Sequence, residues 1–319
     1  MSVPRASRIS VAAFIAAIVA VSAGAATGPS PVKSGPKSEV GPAASDDWFV
    51  WSQSRRRQVS PFDLYAKPVG GRTFRVNPRG TQAYAGGIDG NSLLYQLIRG
   101  QLADRSDLRL YDLAARRTRS LPAGINTSSW ECCGTISGDW ILFSRGHTFS
   151  GDRQLVVLKN LVTGEVRVLD TLRDKNSLLS AGQLNGTFAV WARCKPYPSC
   201  QVLRYDLSTG TATQLPVPAG RVPYSPSVSE TGTAYYFVSK PGCGHSVQVV
   251  KQPVTGVAEM LFSLAGGRDS DVSFAHTLRP KPPGEVTTTR IYFDVVHCKT
   301  HKWDIYRFDD TTHVPPPTR

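Results

Sequence analysis

The cysteines are the residues of this sequence whose type and spacing point most directly to chemistry, namely disulfide formation or metal binding. Cys132 and Cys133 are adjacent, in the stretch E-C-C-G, and the other four of the six cysteines follow in the second half of the chain. An adjacent pair can close a strained disulfide, bond to another cysteine, or place one thiol inside a strand and one outside, because side chains alternate along a strand. All three outcomes are compatible with the sequence, and a structural role is favoured over a redox one.

Two of the later cysteines are the strongest disulfide candidates. Cys194 and Cys200 flank the short segment K-P-Y-P-S, whose two prolines favour a fixed turn that holds the thiols close together. We predict a bond between them and a second bond between Cys243 and Cys298. The second bond would staple two neighbouring repeats of the chain.

A metal site is the rival interpretation of the second pair. His245, His297 and His301 lie beside Cys243 and Cys298 in the sequence, and thiolates with imidazoles can hold zinc or copper. Their spacing matches no structural zinc pattern. We therefore predict no cofactor and keep a metal ion as the alternative.

The N-terminus predicts export, and export favours disulfides over metal binding. Residues 1–25 contain a basic start, an uncharged apolar run at 9–21 and the small residues Ala23-Gly24-Ala25, as in a cleavable secretory signal peptide. The apolar run is shorter than the roughly 20 residues that span a bilayer, so a retained anchor is the weaker interpretation. We expect an extracellular, cell-surface or periplasmic protein with no transmembrane segment in its mature chain.

The composition changes at both ends of the expected domain. Proline, glycine and serine dominate residues 26–45, which predicts a flexible linker, and residues 311–319 are predicted to be a disordered tail. The folded domain is expected to occupy residues 46–310.

The charge of the chain is strongly positive. It carries 37 basic and 24 acidic residues, a formal net charge of +13. Such a balance favours anionic partners, among them acidic polysaccharides, phospholipid headgroups and nucleic acids, without choosing among them. We predict a protein, a peptide or an anionic polysaccharide as the partner, no specific nucleic acid, and a monomeric protein.

Six repeats organise residues 46–310. Short apolar runs recur at intervals of 44 to 56 residues, and their last aromatic residues are Trp51, Tyr95, Phe143, Trp191, Phe237 and Phe293. A second apolar run, such as L-R-L-Y-D-L, follows each of them at a similar distance. Because the two series of runs recur with nearly the same spacing, they indicate six units of about 46 residues, the last with an insertion at residues 279–287.

Each unit predicts four β-strands, and Thr-Gly pairs suit the hairpin between the last two. Units of this length with four strands are typical of a β-propeller. The unit, as in A-Y-Y-F-V-S followed by V-L-R-Y-D-L-S-T-G, resembles the TolB-like and WD40-like bacterial propeller repeats. The predicted fold class is all-β, a six-bladed β-propeller of four-stranded antiparallel blades.

The last blade of this propeller has no obvious fourth strand. Residues 41–45 could start the first blade, and a strand from residues 30–40 could complete the last one, although Pro31 and Pro36 disfavour it. We expect a last blade that is incomplete or completed by the N-terminal segment.

The propeller arrangement would gather the cysteines and several basic residues on one face. Loops between second and third strands lie at the same end of the blades as the starts of the innermost strands. The ligand-face candidates are Arg55, Arg56, Arg57, Trp130, Cys132, Cys133, Arg145, Arg193 and Tyr197.

Catalytic motifs are missing from the sequence. It contains no G-x-S-x-G elbow, no H-E-x-x-H pair and no Gly-rich phosphate loop before a helix, so we assign no catalytic residues. The predicted function is a non-catalytic, secreted propeller that binds a partner through its loop face. The alternative is an extracytoplasmic propeller enzyme, a hydrolase, lyase or metal-dependent lactonase, with its site at the channel mouth.

Overall fold

Strands form all the regular secondary structure in the described part of the chain. The computed structural model describes residues 28–56, 61–99, 106–147, 153–242, 244–265, 268–269, 273–278 and 286–313. Within these ranges no helix is long and apolar enough to cross a membrane.

Six antiparallel sheets form the blades of a propeller, as predicted. The first blade contains β2 (Glu39–Ala44), β3 (Trp48–Ser54), β4 (Phe62–Pro68) and β5 (Phe74–Arg75). The second contains β6 (Gln82–Asp89), β7 (Ser92–Ile98), β8 (Ser106–Asp112) and β9 (Arg117–Arg119). The third contains β10 (Glu131–Ser137), β11 (Trp140–Arg145), β12 (Gln154–Asn160) and β13 (Val166–Leu172). The fourth blade contains β14 (Leu178–Asn185), β15 (Phe188–Cys194), β16 (Cys200–Asp206) and β17 (Thr211–Leu215). The fifth contains β18 (Val222–Val228), β19 (Ala234–Ser239), β20 (Val247–Gln252) and β21 (Glu259–Leu264).

The sixth blade combines both ends of the chain. Its innermost strand is split into β22 (Arg268–Asp269) and β23 (Ser273–Thr277), which both pair with β24 (Val286–His297). β24 pairs with β25 (Lys302–His313), and β25 pairs with β1 (Ser30–Lys33) at the outer edge. The N-terminal segment therefore completes the last blade.

The predicted linker is wrong over half of its length. β1 and β2 lie within residues 26–45, and every residue of β2 is buried. Proline is tolerated in both strands because Pro31 lies in an edge strand and Pro42 lies in a bulge, where no ladder hydrogen bond is required. The predicted tail is also too long, because β25 extends to His313; the predicted signal peptide and residues 314–319 lie outside the described residues.

The hydrophobic core lies between neighbouring blades. The six aromatic residues that marked the repeats lie in the second strands and are almost completely buried, with at most 2% of their surface exposed. Each such burial contributes about 2–3 kcal/mol relative to an exposed side chain. This ladder therefore supplies one anchor per blade, which explains its regular spacing.

Three matching contacts join one blade to the next. The side chain after the aromatic residue accepts a hydrogen bond from the backbone of the following blade: Ser52 Oγ from Ala85 N at 3.0 Å, and Asp294 Oδ2 from Gly41 N at 3.1 Å. Ser144 Oγ accepts the equivalent bond from Ala181 N at 2.6 Å. The Asp294 bond joins the sixth blade to the first and so closes the ring.

A bulge interrupts the innermost strand of each of the first five blades. At the same place in each, two residues lie opposite one residue of the second strand, so the register shifts by one residue. The two bulge residues are Gly41-Pro42, Gly86-Gly87, Cys133-Gly134, Gly182-Gln183 and Ser225-Pro226. Glycine is frequent here because the neighbouring blade approaches closely: a Cβ on Gly86 would collide with the carbonyl oxygen of Gly134.

Candidate channel-mouth site

A cavity of about 490 Å³ opens where the innermost strands end. All six blades contribute to it through the ends of these strands and the turns that follow them, and we call this face the turn face. Its polar lining residues are Ser45, Asp46, Asp47, Asp89, Ser137, Gln183, Asn185, Glu230, His276 and Thr277. A cavity of this volume is within the range that small-ligand sites occupy.

Asp46 and His276 form the most enclosed polar pair in this cavity. His276 Nε2 lies 3.0 Å from Asp46 Oδ1, and because a carboxylate only accepts, the imidazole donates this bond. Burial lowers the pKa of His276 below its ordinary value of 6.5, although the hydrogen bond to Asp46 opposes this shift. His276 is therefore neutral at pH 7.

Other acidic side chains come from separate blades. Asp89 is exposed, and its Oδ2 accepts a hydrogen bond from Gly138 N at 2.6 Å, which ties the turn of the second blade to that of the third. Glu230 is exposed too, and its backbone N donates to Thr277 Oγ1 at 3.3 Å. Asp47 is the third exposed carboxylate.

The cavity is rigid at its base. Gln183 is buried, and its amide nitrogen donates to the carbonyl oxygen of Ala275 at 2.7 Å. Its amide oxygen accepts from Ala275 N at 2.9 Å and from Val228 N at 3.2 Å. One side chain from the fourth blade therefore joins the innermost strands of the fifth and sixth.

The charge of the cavity is opposite to that of the chain. Asp46, Asp47, Asp89 and Glu230 line it, and its lining includes neither lysine nor arginine. The whole chain carries a formal charge of +13. A clustered set of carboxylates in a recess raises the local concentration of cations, whereas the surrounding basic surface does not.

The ligand-face candidates lie at the opposite end of the blades, and three of their arginines are held in ion pairs. Arg55 contacts Asp63 at 2.9 Å, Arg145 contacts the buried Glu131 at 3.0 Å, and Arg193 contacts Asp170 at 3.1 Å. The first two pairs each join two strands of one blade, and the Arg193–Asp170 pair joins the fourth blade to the third. Their charges are therefore partly neutralised within the fold.

The remaining candidates on this loop face differ in exposure. Trp130 is half-buried and stacks on the His147 ring, with 5.2 Å between ring centroids. Arg56 is exposed and Tyr197 is 45% exposed. Arg57 lies outside the described residues.

The cysteines divide into bonded and thiol forms. Cys194 and Cys200 form the predicted disulfide, across the loop between β15 and β16. Cys298 is disulfide-bonded, whereas Cys243 lies outside the described residues, so their pairing stays a prediction. Cys132 is a buried thiol and Cys133 an exposed one.

The histidines of the alternative metal site are not assembled with other ligands in the described residues. His297 Nε2 lies 3.3 Å from Asp304 Oδ2, and His245 and His301 are exposed in loops. Within the described ranges, no three histidine, cysteine or acidic side chains are placed to hold a metal ion.

Sequence reasoning missed the channel-mouth cavity, although the sequence contained a signal for it. The turns after the innermost strands carry a polar residue just before a glycine in I-D-G, I-S-G and L-N-G, and S-E-T-G is similar. These residues suit tight turns, and turn formation alone accounts for them in any one unit. Only the ring of blades places them around one opening.

Comparisons with known proteins identify the fold and no family. No family model matches the chain, and no curated protein matches it. Among solved structures, a subtype N10 neuraminidase-like protein of a little yellow-shouldered bat isolate is similar over 89% of this chain and 99% of its own, at 9% identity and a TM-score of 0.53.

Two further structures are less similar. An oligogalacturonate lyase in complex with manganese matches 84% of this chain and 86% of its own, at 12% identity and a TM-score of 0.46. A prolyl endopeptidase matches 88% of this chain at 11% identity and a TM-score of 0.46. This chain spans about half of that peptidase, 51% of its length.

Proposed function

We propose that this chain is an exported, non-catalytic binding protein of the TolB-like propeller type, and that its channel-mouth cavity takes a cationic group of a peptide or protein. The observation that carries the proposal is the cluster of four carboxylates, from three blades, in a cavity whose lining has neither lysine nor arginine. A lysine or arginine side chain fits such a site, since its apolar stem reaches into a recess and its charged end meets acidic groups.

The carboxylates of the cavity favour binding of a cation over binding of a neutral group. Asp47, Asp89 and Glu230 are exposed, so each interacts with a bound cation through a medium of intermediate polarity. At about 6 Å and an effective dielectric constant of about 40, one carboxylate contributes roughly 1 kcal/mol. Several such contributions together select a cation over a neutral group.

Binding of an anionic polysaccharide at the loop face is the weaker version of this function. It needs unpaired basic groups, but Arg55, Arg145 and Arg193 are engaged with Asp63, Glu131 and Asp170. Arg56 remains exposed, as do Lys195, Lys240 and Lys299 in the equivalent loops of other blades, and that version would depend on these residues.

Catalysis at the channel mouth is the second candidate function. It is favoured by one observation, the Asp46–His276 pair, because a neutral imidazole held by a carboxylate can act as a general base. His276→Gln would abolish such a reaction while leaving the exposed carboxylates, and hence most cation binding, in place.

The test is calorimetric binding of a short peptide amide of three lysines, with a peptide of three glutamates as the ligand control. Asp47→Asn and Glu230→Gln should each weaken lysine-peptide binding about fivefold, and salt should weaken it further. Glu165→Gln is the matched control, since Glu165 is exposed on the third blade and pairs with Arg167. Equal loss in the control, or tighter binding of the glutamate peptide, would contradict the proposal.

A further inference from the structure

The side chains of Cys132 and Cys133 lie close enough to interact, although the two residues are neighbours on a strand. The Cys132 side chain is buried, and both Cys133 and Ser144 affect its pKa. Cys133 is exposed. In a regular strand two successive side chains point to opposite faces, so their thiols would not meet.

The bulge of β10 accounts for this proximity. Cys133 has a φ of 58°, in the left-handed region, and occupies the same bulge position as Gly41, whose φ is 61°. The left-handed conformation interrupts the alternation of side chains, so the two thiols need not point to opposite faces. A residue with a Cβ costs about 1–2 kcal/mol there relative to glycine, so the cysteine is held in a strained conformation.

The two thiols differ in access to solvent. Cys132 is 3% exposed and lies among residues of the third blade, whereas Cys133 can be reached by a small molecule. Burial, together with the neighbouring Cys133, raises the pKa of Cys132 well above its ordinary value. Cys133 is therefore the thiol that can attack an external reagent first.

We propose that Cys132 and Cys133 form a redox-active dithiol that exchanges with small disulfides and closes to a vicinal disulfide. This goes beyond the proposed binding function and does not depend on it. The pair lies at the start of β10, whereas the lining of the channel-mouth cavity begins at Ile136, about 10 Å beyond Cys133 on the same strand.

The exchange balances as two successive displacements. The Cys133 thiolate attacks one sulfur of a small disulfide, RSSR, forming a mixed disulfide and releasing RS⁻, which takes the proton lost by Cys133. The Cys132 thiolate then attacks Cys133 Sγ, breaks the mixed disulfide and releases a second RS⁻, which takes the proton lost by Cys132. Two cysteine thiols are oxidised, and one RSSR is reduced to two RSH.

Proximity makes the second step efficient. Cys132 is the chain neighbour of Cys133, so closure is intramolecular and should exceed attack by millimolar external thiol by about 100-fold or more. The closed ring is strained, which makes it easy to reduce again. Cys194 and Cys200 are already bonded to each other and do not compete for either thiol.

The test is titration of the folded protein with glutathione disulfide, followed by acid quenching, alkylation of remaining thiols in denaturant, and mass spectrometry of the peptide containing both residues. The wild type should lose both alkylation sites together, with no more than a trace of bound glutathione, and dithiothreitol should restore both. Cys132→Ser should accumulate one glutathione on Cys133, at least tenfold more than the wild type. Cys133→Ser should bind almost none.

Three results would overturn the proposal. They are a wild type that keeps both thiols, a wild type that holds glutathione as stably as Cys132→Ser, and oxidation that appears only as disulfide-linked dimers. Far-ultraviolet circular dichroism of each variant verifies that it is folded. The Cys194–Cys200 bond provides an internal control, since its peptide should remain unchanged throughout the titration.

Discussion

The bond between Asp294 and Gly41 closes the ring, and its removal should open it at a defined point. Asp294 is completely buried in β24, and its Oδ2 accepts from the backbone N of Gly41 in β2. Asp294→Ala deletes this acceptor and leaves the buried N–H of Gly41 without its partner. Such a loss costs about 1–3 kcal/mol, to which the space left by the shorter side chain adds about 1 kcal/mol.

Ser52→Ala provides a matched comparison inside the ring. Ser52 Oγ accepts the equivalent bond from Ala85 N at 3.0 Å, between the first and second blades. Both variants should lower the free energy of unfolding, because each removes one contact between neighbouring blades. We expect a loss of about 1–3 kcal/mol for Ser52→Ala and about 2–4 kcal/mol for Asp294→Ala, which also leaves the larger space. Asp294→Asn keeps an acceptor oxygen of the same shape and should lose less than Asp294→Ala.

Urea unfolding followed by tryptophan fluorescence measures these differences. With a slope of about 3 kcal/mol/M, a loss of 2 kcal/mol, taken from the range above, lowers the midpoint by roughly 0.7 M. The fluorescence change is sensitive to blade opening because Trp51 and Trp191 are buried between blades. If Asp294→Ala left the midpoint unchanged while Ser52→Ala lowered it, the sixth blade would not close the ring through this contact.

Two further predictions concern the loop disulfide and the cavity histidine. The double variant Cys194→Ser, Cys200→Ser should lose about 2 kcal/mol of unfolding free energy, because the bond closes a loop with a sequence separation of only 6, and the same urea assay under non-reducing conditions checks this. His276 has a folded-state pKa below its ordinary 6.5, so the unfolded chain takes up its proton first as the pH falls. Stability from this group is therefore complete above pH 6.5 and is lost as the pH falls from there toward the folded-state pKa. Thermal unfolding midpoints between pH 7.5 and 5 should fall more steeply for the wild type than for His276→Gln, and parallel curves would contradict this assignment.

The repeat explains how much of the fold could be predicted. The buried aromatic ladder and the strands that carry it depend on local alternation and on a fixed period, and both are visible in one sequence. The N-terminal strands could not be recognised in the same way. Pro31 and Pro42 disfavour strands by local rules, and their tolerance comes from an edge position and a bulge, which only pairing with β25 and β3 creates.

The candidate site was harder to predict because it depends on where separate turns converge. Arg55, Arg145 and Arg193 formed a visible basic series in the sequence, but their acidic partners lie 8, 14 and 23 residues away and are not apparent without the fold. The acidic residues of the turn face could not be recognised as a group. Each one is explained locally as a turn residue, so the sequence did not show that they meet around the channel.

The two faces of the propeller therefore differ in how their charges are used. On the loop face, Arg145 and Arg193 are already paired with Glu131 and Asp170 of the protein, so their charges attract a ligand less. On the turn face, Asp47 and Glu230 are exposed beside a cavity whose lining has neither lysine nor arginine, so they can attract a cationic ligand. The net positive charge of the chain is thus a poor guide to its partner, because the cavity presents the minority charge. A cationic partner should bind at the turn face in spite of the overall charge, and its affinity should depend on the local carboxylates rather than on the number of basic residues elsewhere.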